Sequence, residues 1–310
     1  MDRADHDLTM TDRTPCHVEV RFCQPSPTLR RYFTTFYHTR ITITDGGRVV
    51  DHLHPEWANL RILKGDRPDA RLADGEVVSG LDVVATGPTS SSLGFAIGTT
   101  RMWGIGLLPL GWARFAAGPA SVLADCVVDG RTHPAFADFR PLIDTLFDGQ
   151  DDEAAELSRI EEHFLARDEG PLPGEARIVA AHEALLDPST DDVGDFASRA
   201  GLTQRSLERL CLRVFGFAPH TLLRRQRFMR SLAKFMLDPS LKWIGAIDSH
   251  YHDQAQFVRD FHQFMGTSPR SYAAAPHPIL GAIMRQRAID AGAAVQALHP
   301  PTGADGISAG

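Results

Sequence analysis

The last third of the chain contains a repeat, and that repeat restricts the fold more than any other feature. Residues 203–219 align without a gap on residues 253–269. Gln204 meets Gln254, Arg209 meets Arg259, Gly216 meets Gly266 and Pro219 meets Pro269. Leu207 and Phe257 share apolar character, as do Leu222 and Tyr272 just beyond. Self-similarity at a fixed offset is the signature of one supersecondary unit used twice. Each unit reads as two helices around a tight turn. In the first copy, residues 193–199 form a short helix with Phe196 and Ala197 inward, and the small Ala197 lets the next helix approach closely. Gly201 supplies the left-handed conformation that ends this helix, and Thr203 is a sound N-cap for the next. In the second copy Asp253 caps, and Gln256 three residues on completes a capping-box pattern. Gly216 and Gly266 stop the second helix of each copy. Residues 221–237 join the copies as one helix, with Leu222, Phe228, Met229, Leu232, Phe235 and Met236 to bury.

These residues form longer strings. The first is Phe196-Ala197-x3-Gly201-Leu202-Thr203, then Arg205-x-Leu207-x-Arg209, then Gly216-x-x-Pro219. The second is Tyr251-x-Asp253-x3-Phe257-x-Arg259-x-Phe261-x4-Gly266-x-Ser268-Pro269-x2-Tyr272. Over about 178–275 the chain thereby resembles the AraC-type transcription regulators (the AraC/XylS family). His250 departs from the pattern, standing where the family usually has Gly, so the second turn must be built with a non-Gly residue. Ala218 stands where Ser is commoner. The resemblance implies two recognition helices in successive major-groove segments on one face of DNA. With Leu207, Leu210 and Phe215 inward, Gln204, Arg205, Glu208 and Arg209 point out of the first helix. With Phe257 and Phe261 inward, Gln254, Gln256 and Arg259 point out of the second. By position these seven match the family's base-facing residues. Their chemistry suits the task, since Arg pairs with guanine, Gln with adenine, and Glu accepts from cytosine. Thr203, Ser268 and Arg270 are the expected phosphate contacts. Arg209 and Arg259 also have a second reading, pairing with Glu208 or Asp260 inside their own domain.

Ahead of this region the pattern is different. From about 18 to 130, short apolar stretches such as 41–44, 59–63, 77–78, 83–85, 94–97 and 103–107 alternate with turn residues. Such spacing predicts a sandwich or barrel, with Asp45-Gly46 and Asp74-Gly75 as hairpin tips. Helical periodicity then begins. Phe139, Leu142, Ile143 and Leu146 form one apolar face, and Leu157, Ile160, Phe164 and Leu165 another over about 151–166. Gly170-Pro171-Leu172-Pro173-Gly174 reads as a linker. The fold class is therefore α+β. An N-terminal β-rich, cupin-like barrel with helices (18–169) follows a flexible arm (1–17) and precedes an all-α domain with two helix-turn-helix motifs joined by a long helix (175–275). The tail 276–310 has one helix at about 279–297 and a Pro/Gly-rich end expected to be disordered.

The cupin-like assignment also follows the resemblance, since these regulators often carry such a sensor domain. Gly87-Pro88-Thr89, the run from Gly104 to Trp112 and Ala117-Gly118-Pro119 look like one subgroup's N-terminal domain. A small barrel encloses ligand cavities, and Trp57, Phe95, Trp103, Trp112 and Phe115 are the expected lining of an effector pocket. Ordinary core packing is the competing role for each. The helices at 135–165 suit either a homodimer contact or packing on the barrel. His52-x-His54 with Glu56 suggests a metal, but three matched ligands are the usual minimum and Pro55 breaks the strand. No metal or other cofactor is expected.

Charge has to be read by region. The whole chain carries −7, which taken alone argues against nucleic acid. Residues 191–275 hold 12 Lys and Arg against 8 Asp and Glu, while residues 1–190 hold 18 against 29. The acidity lies outside the repeat. No run is long and apolar enough for a membrane span, and the polar N-terminus lacks a signal-peptide core. Four cysteines without a C-x-x-C pair suit a reducing compartment, so a cytoplasmic protein is expected. No phosphate loop or nucleophile elbow appears. The expectation is a sequence-specific DNA-binding transcription regulator, not an enzyme, responding to a small-molecule effector. Its partners would be double-stranded promoter DNA and, by family implication, RNA polymerase, with activation favoured. Two alternatives stay open: a cupin-like metal-dependent enzyme domain fused to a DNA module, and a regulator acting through protein interaction without an effector.

Overall fold

A computed structural model describes residues 16–238, 240, 242–291 and 295–301. Most of the expected arm, and the last nine residues of the tail, lie outside the described residues. Ten strands build the N-terminal half: β1 Cys16–Cys23, β2 Phe33–Ile43, β3 Val49–Leu53, β4 Asn59–Gly65, β5 Asp69–Arg71, β6 Val77–Val78, β7 Val83–Thr86, β8 Leu93–Ile97, β9 Thr100–Leu107 and β10 Val127–Asp129. They form an antiparallel six-stranded sheet, β1-β2-β9-β4-β7-β10, and a four-stranded sheet, β3-β8-β5-β6. Asp74-Gly75 does sit between two paired strands, β5 and β6. Asp45-Gly46 does not close a hairpin, because β2 pairs with β1 and β9 while β3 pairs with β8. That turn carries the chain from one sheet to the other.

Strand parity then divides the core. Side chains alternate faces along a strand. Leu60 and Ile62 of β4, Val83 and Ala85 of β7, and Trp103, Ile105 and Leu107 of β9 belong to one large apolar cluster. Leu63, Val84 and Met102, of opposite parity on the same strands, join Phe95 and Ile97 of the other sheet in a second cluster. The large sheet therefore packs helices on one face and the small sheet on the other, and β9 is buried along its whole length.

The helices that cover the first face are α1 Pro109–Phe115, a 3-10 turn with α2 Arg140–Thr145, and α3 Glu153–Leu165. Asp152 caps α3 through the amides of Ala154 and Ala155. Ile160 and Phe164 point inward, whereas Leu165, expected on the apolar side, is exposed. Glu156 is buried, accepting two bonds from Arg101 at 2.9 Å and one from the Trp103 indole at 2.7 Å. A buried carboxylate is tolerated only with such partners, so it pins α3 to β9.

The remaining helices are α4 Glu175–Leu186, α5 Val193–Arg199, α6 Gln204–Leu210, α7 Pro219–Leu237, α8 Lys242–Ala246, α9 Gln254–Met265, α10 Pro269–Ala274 and α11 Leu280–Ala291. They do not share one core. Phe196, Leu207, Leu210, Phe215 and Leu222 are continuous with the sheet-and-helix cluster of the N-terminal half. Phe228, Leu232, Phe257, Phe261 and Tyr272 form a separate cluster with Leu280 and Met284 of α11. Helix α7 bridges both. Its Arg225 is fully buried, donating to the Thr89 carbonyl at 2.9 Å with its guanidinium 4.1 Å from the Trp57 ring. Burial without a carboxylate partner lowers its pKa to about 9. In the tail, α11 lies within the range expected to be helical. Helix α11 lies along β1 and β3, and Val295, Gln296 and Ala297 after it are buried.

Candidate functional site

The first helix-turn-helix is α5–α6. Asp192 caps α5 through the Asp195 amide, and Gly201, at φ +63°, makes the turn. The Thr203 side chain accepts from the Ser206 amide at 3.2 Å and so starts α6. Beyond Leu210 the helix loosens into a π turn over Cys211–Phe215, which Gly216 ends at φ +85°. A β-carbon at Gly216 would stand 3.1 Å from Pro88. This position thus needs glycine for its backbone and for its approach to the N-terminal half.

The second unit is α8–α9. The Asp253 side chain accepts from the Gln256 amide at 2.7 Å. Gln256 reaches back, but to the amide of His252 at 3.3 Å rather than that of the cap residue. His250 does not take the left-handed conformation that a glycine would supply, since only Asp125 and Lys242 among described non-glycines have positive φ. Asp248 builds the turn instead. Its carboxylate accepts from the His250 amide at 3.0 Å and its imidazole at 2.8 Å, and its other oxygen accepts from Arg230 of α7 at 2.5 Å. These contacts hold the Asp248 carboxyl below the usual carboxylate range despite its burial. Gly266 ends α9 at φ +66°.

On α6 the side chains of Gln204, Arg205, Glu208 and Arg209 are exposed. On α9 Gln254 and Arg259 are exposed and Gln256 is half-buried. Gln204, Gln256 and Arg259 line one open groove that runs between the two units across α7, together with His220, Arg224 and Arg227. Arg205, Glu208, Arg209 and Gln254 lie outside that groove. The internal pairing of Arg209 and Arg259 is not formed. Asp260 is buried and engaged by Arg224 and by the Tyr251 hydroxyl at 3.1 Å. Among the described residues neither Arg209 nor Arg259 joins an ion pair, and Arg205 and Arg270 join none either. Thr203 and Ser268 are both N-caps whose oxygens are occupied by amides, Ser268 by that of Ser271 at 3.0 Å. The α7 arginines were missed in the sequence. Two of them are structural cations: Arg224 and Arg230 hold Asp260 and Asp248, the two acids behind the second unit.

The second site is a cavity of ≈ 110 Å³ between the two sheets. Of the five aromatics expected to line it, only Phe95 does. Trp57 packs edge-on to His182 and Phe215, Trp112 against Phe136, Phe115 among Tyr32, Phe33 and Phe164, and Trp103 beside His38. Trp103 has the parity that faces the helices, and its neighbour Met102 faces the cavity. The polar lining is Thr39, His54, Glu56, Asn59, Arg61, Arg287 and Gln296, with the Tyr37 hydroxyl donating to Asn59 at 3.1 Å. Two of these, Arg287 and Gln296, come from the tail. The His52, His54 and Glu56 trio does not converge. His52 lies on Gly94, His54 bonds the Tyr272 hydroxyl at 2.5 Å, and Glu56 accepts from Arg61 at 2.6 Å. Among the described residues no His, Cys, Asp and Glu side chains are grouped to hold a metal ion, and no helix is long and apolar enough to cross a membrane.

Residues 196–275 match the family model described as a helix-turn-helix domain. No curated protein matches the chain. Among solved structures the chain is similar to ToxT from Vibrio cholerae, at 7% identity and TM-score 0.41 over 84% of this chain and 98% of that one. ToxT from Vibrio cholerae O395 bound to (E)-4-(8-methylnaphthalen-1-yl)but-3-enoic acid gives 8% and 0.41 over the same shares. The AraC-like transcriptional activator CuxR gives 11% and 0.25 over 70% and 87%. The matched segment begins at Phe196, inside α5, and runs through α10, so it contains α6, the α7 linker and the whole second unit. The chain thus carries a helix-turn-helix domain at residues 196–275.

Proposed function

We propose that the protein is a sequence-specific transcription regulator that inserts α6 and α9 into successive major-groove segments of promoter DNA. The observation that carries this reading is the pair of capped helices, each with its apolar side in a separate core and its polar side free of ion pairs. Gln204, Arg205, Glu208 and Arg209 read bases from the first helix, and Gln254, Gln256 and Arg259 from the second. Arg270 contacts phosphate as a free cation. Thr203 and Ser268 contact it at the helix N-termini that their side chains cap. Phosphate contacts supply affinity, and base edges supply specificity. The N-terminal half binds a small effector in the inner cavity, and the regulator acts in the cytoplasm without catalysing a reaction. The family resemblance supports activation through RNA polymerase and a homodimer formed through the helices at 135–165.

Footprinting on the DNA upstream of the protein's own gene tests the central point. Arg205→Ala and Gln256→Ala are each expected to relax preference at one position by about 1–3 kcal/mol, the discrimination of one good base contact. Binding to unrelated DNA should change little. A specific footprint that survives both substitutions unchanged would show that α6 and α9 are not the reading helices.

A further inference from the structure

The inner cavity has a wall from the far end of the chain. Helix α11, which follows both helix-turn-helix units in sequence, contributes Leu280, Ile283, Met284 and Arg287 to it. The helix is firmly held there. Asp51 of β3 accepts from the amides of Ile279 at 2.9 Å and Leu280 at 2.8 Å, and Asp290 accepts from the Phe22 amide at 3.1 Å. The wall is therefore a built part of the site.

The charges around the cavity do not cancel. Glu56 is engaged by Arg61 at 2.6 Å, a neutral pair. His54 is buried and its pKa is pushed down to about 3, so it is uncharged at neutral pH. Arg287 remains. It is 5% exposed, its Nη1 donates to the Thr35 hydroxyl at 3.2 Å, and its guanidinium stands 5.2 Å from the Phe22 ring. Its Nε and Nη2 have no hydrogen-bond partner, and no carboxylate among the described residues forms an ion pair with it. Burial lowers its pKa only to about 10, so it stays protonated. A buried guanidinium without an anion is costly, and native structures normally supply the partner. Nε and Nη2 are also the side-on donor pair that fits the two oxygens of a carboxylate.

We propose that the cavity binds a small organic monocarboxylate, with its head group on Nε and Nη2 of Arg287 and its apolar body between the sheets against Phe95 and Met102. One excess positive charge selects a monoanion. The volume admits only a small body, since an apolar cavity that accommodates benzene, at roughly 150 Å³, is already larger than this one. A longer body must push α11 outward. The proposal deepens the effector reading and rests on it, and it makes the segment beyond the DNA-binding domain part of the sensor.

Calorimetry on the full-length protein tests it with hexanoate and benzoate against hexanol and benzyl alcohol. The carboxylates are expected to bind one to one and about tenfold or more tighter than the alcohols of the same shape. In Arg287→Gln that preference should vanish while alcohol binding remains, and Arg287→Lys should keep part of it. Equal binding of acid and alcohol to the native protein, absence of carboxylate binding, or a preference that survives Arg287→Gln would each overturn the assignment. The native comparison and Arg287→Lys decide the matter if Arg287→Gln does not fold. DNA titration of the same samples separates the two readings. Carboxylate binding that leaves DNA affinity unchanged supports the site and refutes its role as the effector switch.

Discussion

Asp51→Ala should release the tail from the sensor half without unfolding either. The Asp51 carboxylate is 1% exposed, and one of its oxygens receives the amides of Ile279 and Leu280. Charge-assisted bonds of this kind contribute about 1.5–3 kcal/mol each, but two amides sharing one oxygen do not add fully. Truncating an N-cap costs about 0.5–2 kcal/mol by itself, and here the amides lose their acceptor in a buried place. Together these give about 3 kcal/mol, roughly a hundredfold increase in the open population of α11. Hydrogen exchange read by mass spectrometry over 279–291 measures that population directly. Amides there should exchange about a hundredfold faster, with β2 and β9 unchanged. Asp51→Asn, which keeps a carbonyl acceptor but loses the charge, should show a smaller effect. Unchanged protection of α11 in Asp51→Ala would mean that its apolar face alone holds it. Faster exchange throughout β2 and β9 would mean that the tail is integral to the sheet core rather than docked on it.

Three further outcomes follow from other parts of the molecule. Gly104→Ala should lower stability by about 3 kcal/mol, the upper end for overpacking. A β-carbon there would stand 1.9 Å from the Tyr37 ring across the β2–β9 pair, and an unchanged urea midpoint would refute that packing. Acid should destabilise the protein between pH 6.5 and 4, because His54 and His182 are buried neutral, with pKa values lowered to about 3. Their stabilising effect is complete above pH 6.5 and is lost as pH falls, by about 2 kcal/mol for each at pH 5, although His277, raised by Asp51, works the other way. A melting temperature flat from pH 7 to 5 would contradict this. Asp253→Ala should cost about 1 kcal/mol through loss of the α9 cap, and thermal denaturation with no shift would show that the bond to Gln256 contributes nothing.

The sequence made some features legible and hid others for definable reasons. Caps and stops were local chemistry, and Thr203, Asp253, Gly201, Gly216 and Gly266 act where they were expected to. Strand positions were also local, fixed by turn residues on either side of 59–65, 83–86 and 93–97. Pairing was not. Nothing near Asp45-Gly46 tells whether the strands it joins lie in one sheet or two. Parity was hidden on β9 because both of its faces are buried, so the strand lacks the polar alternation that would have set Trp103 apart from Met102. The turn at His250 illustrates a third limit. A glycine was missing from the pattern, and the compensation came from Asp248 two residues away, held by Arg230 on another helix.

The tail helix was expected but its packing against the N-terminal half was not, yet the signal for that packing was present. Ile279, Leu280, Ile283, Met284 and Arg287 fall three and four residues apart, which places them on one side of a helix. An arginine at the end of such a stripe reads as a solvated cation snorkelling from an apolar surface. The structure reverses that meaning, because the stripe faces a cavity instead of solvent. The basic excess of the repeat is redistributed in the same way. Of the arginines on α7, Arg224 and Arg230 neutralise acids and Arg225 is buried under Trp57. The cations left for DNA are local: Arg205, Arg209 and Arg213 in and just after α6, Arg227 of α7 in the groove, Arg259 on α9, and Arg270 at the start of α10. The salt dependence of binding follows how many of these reach phosphates. Affinity in this chain must therefore come from where those side chains point and from how rigidly α7 spaces the two units.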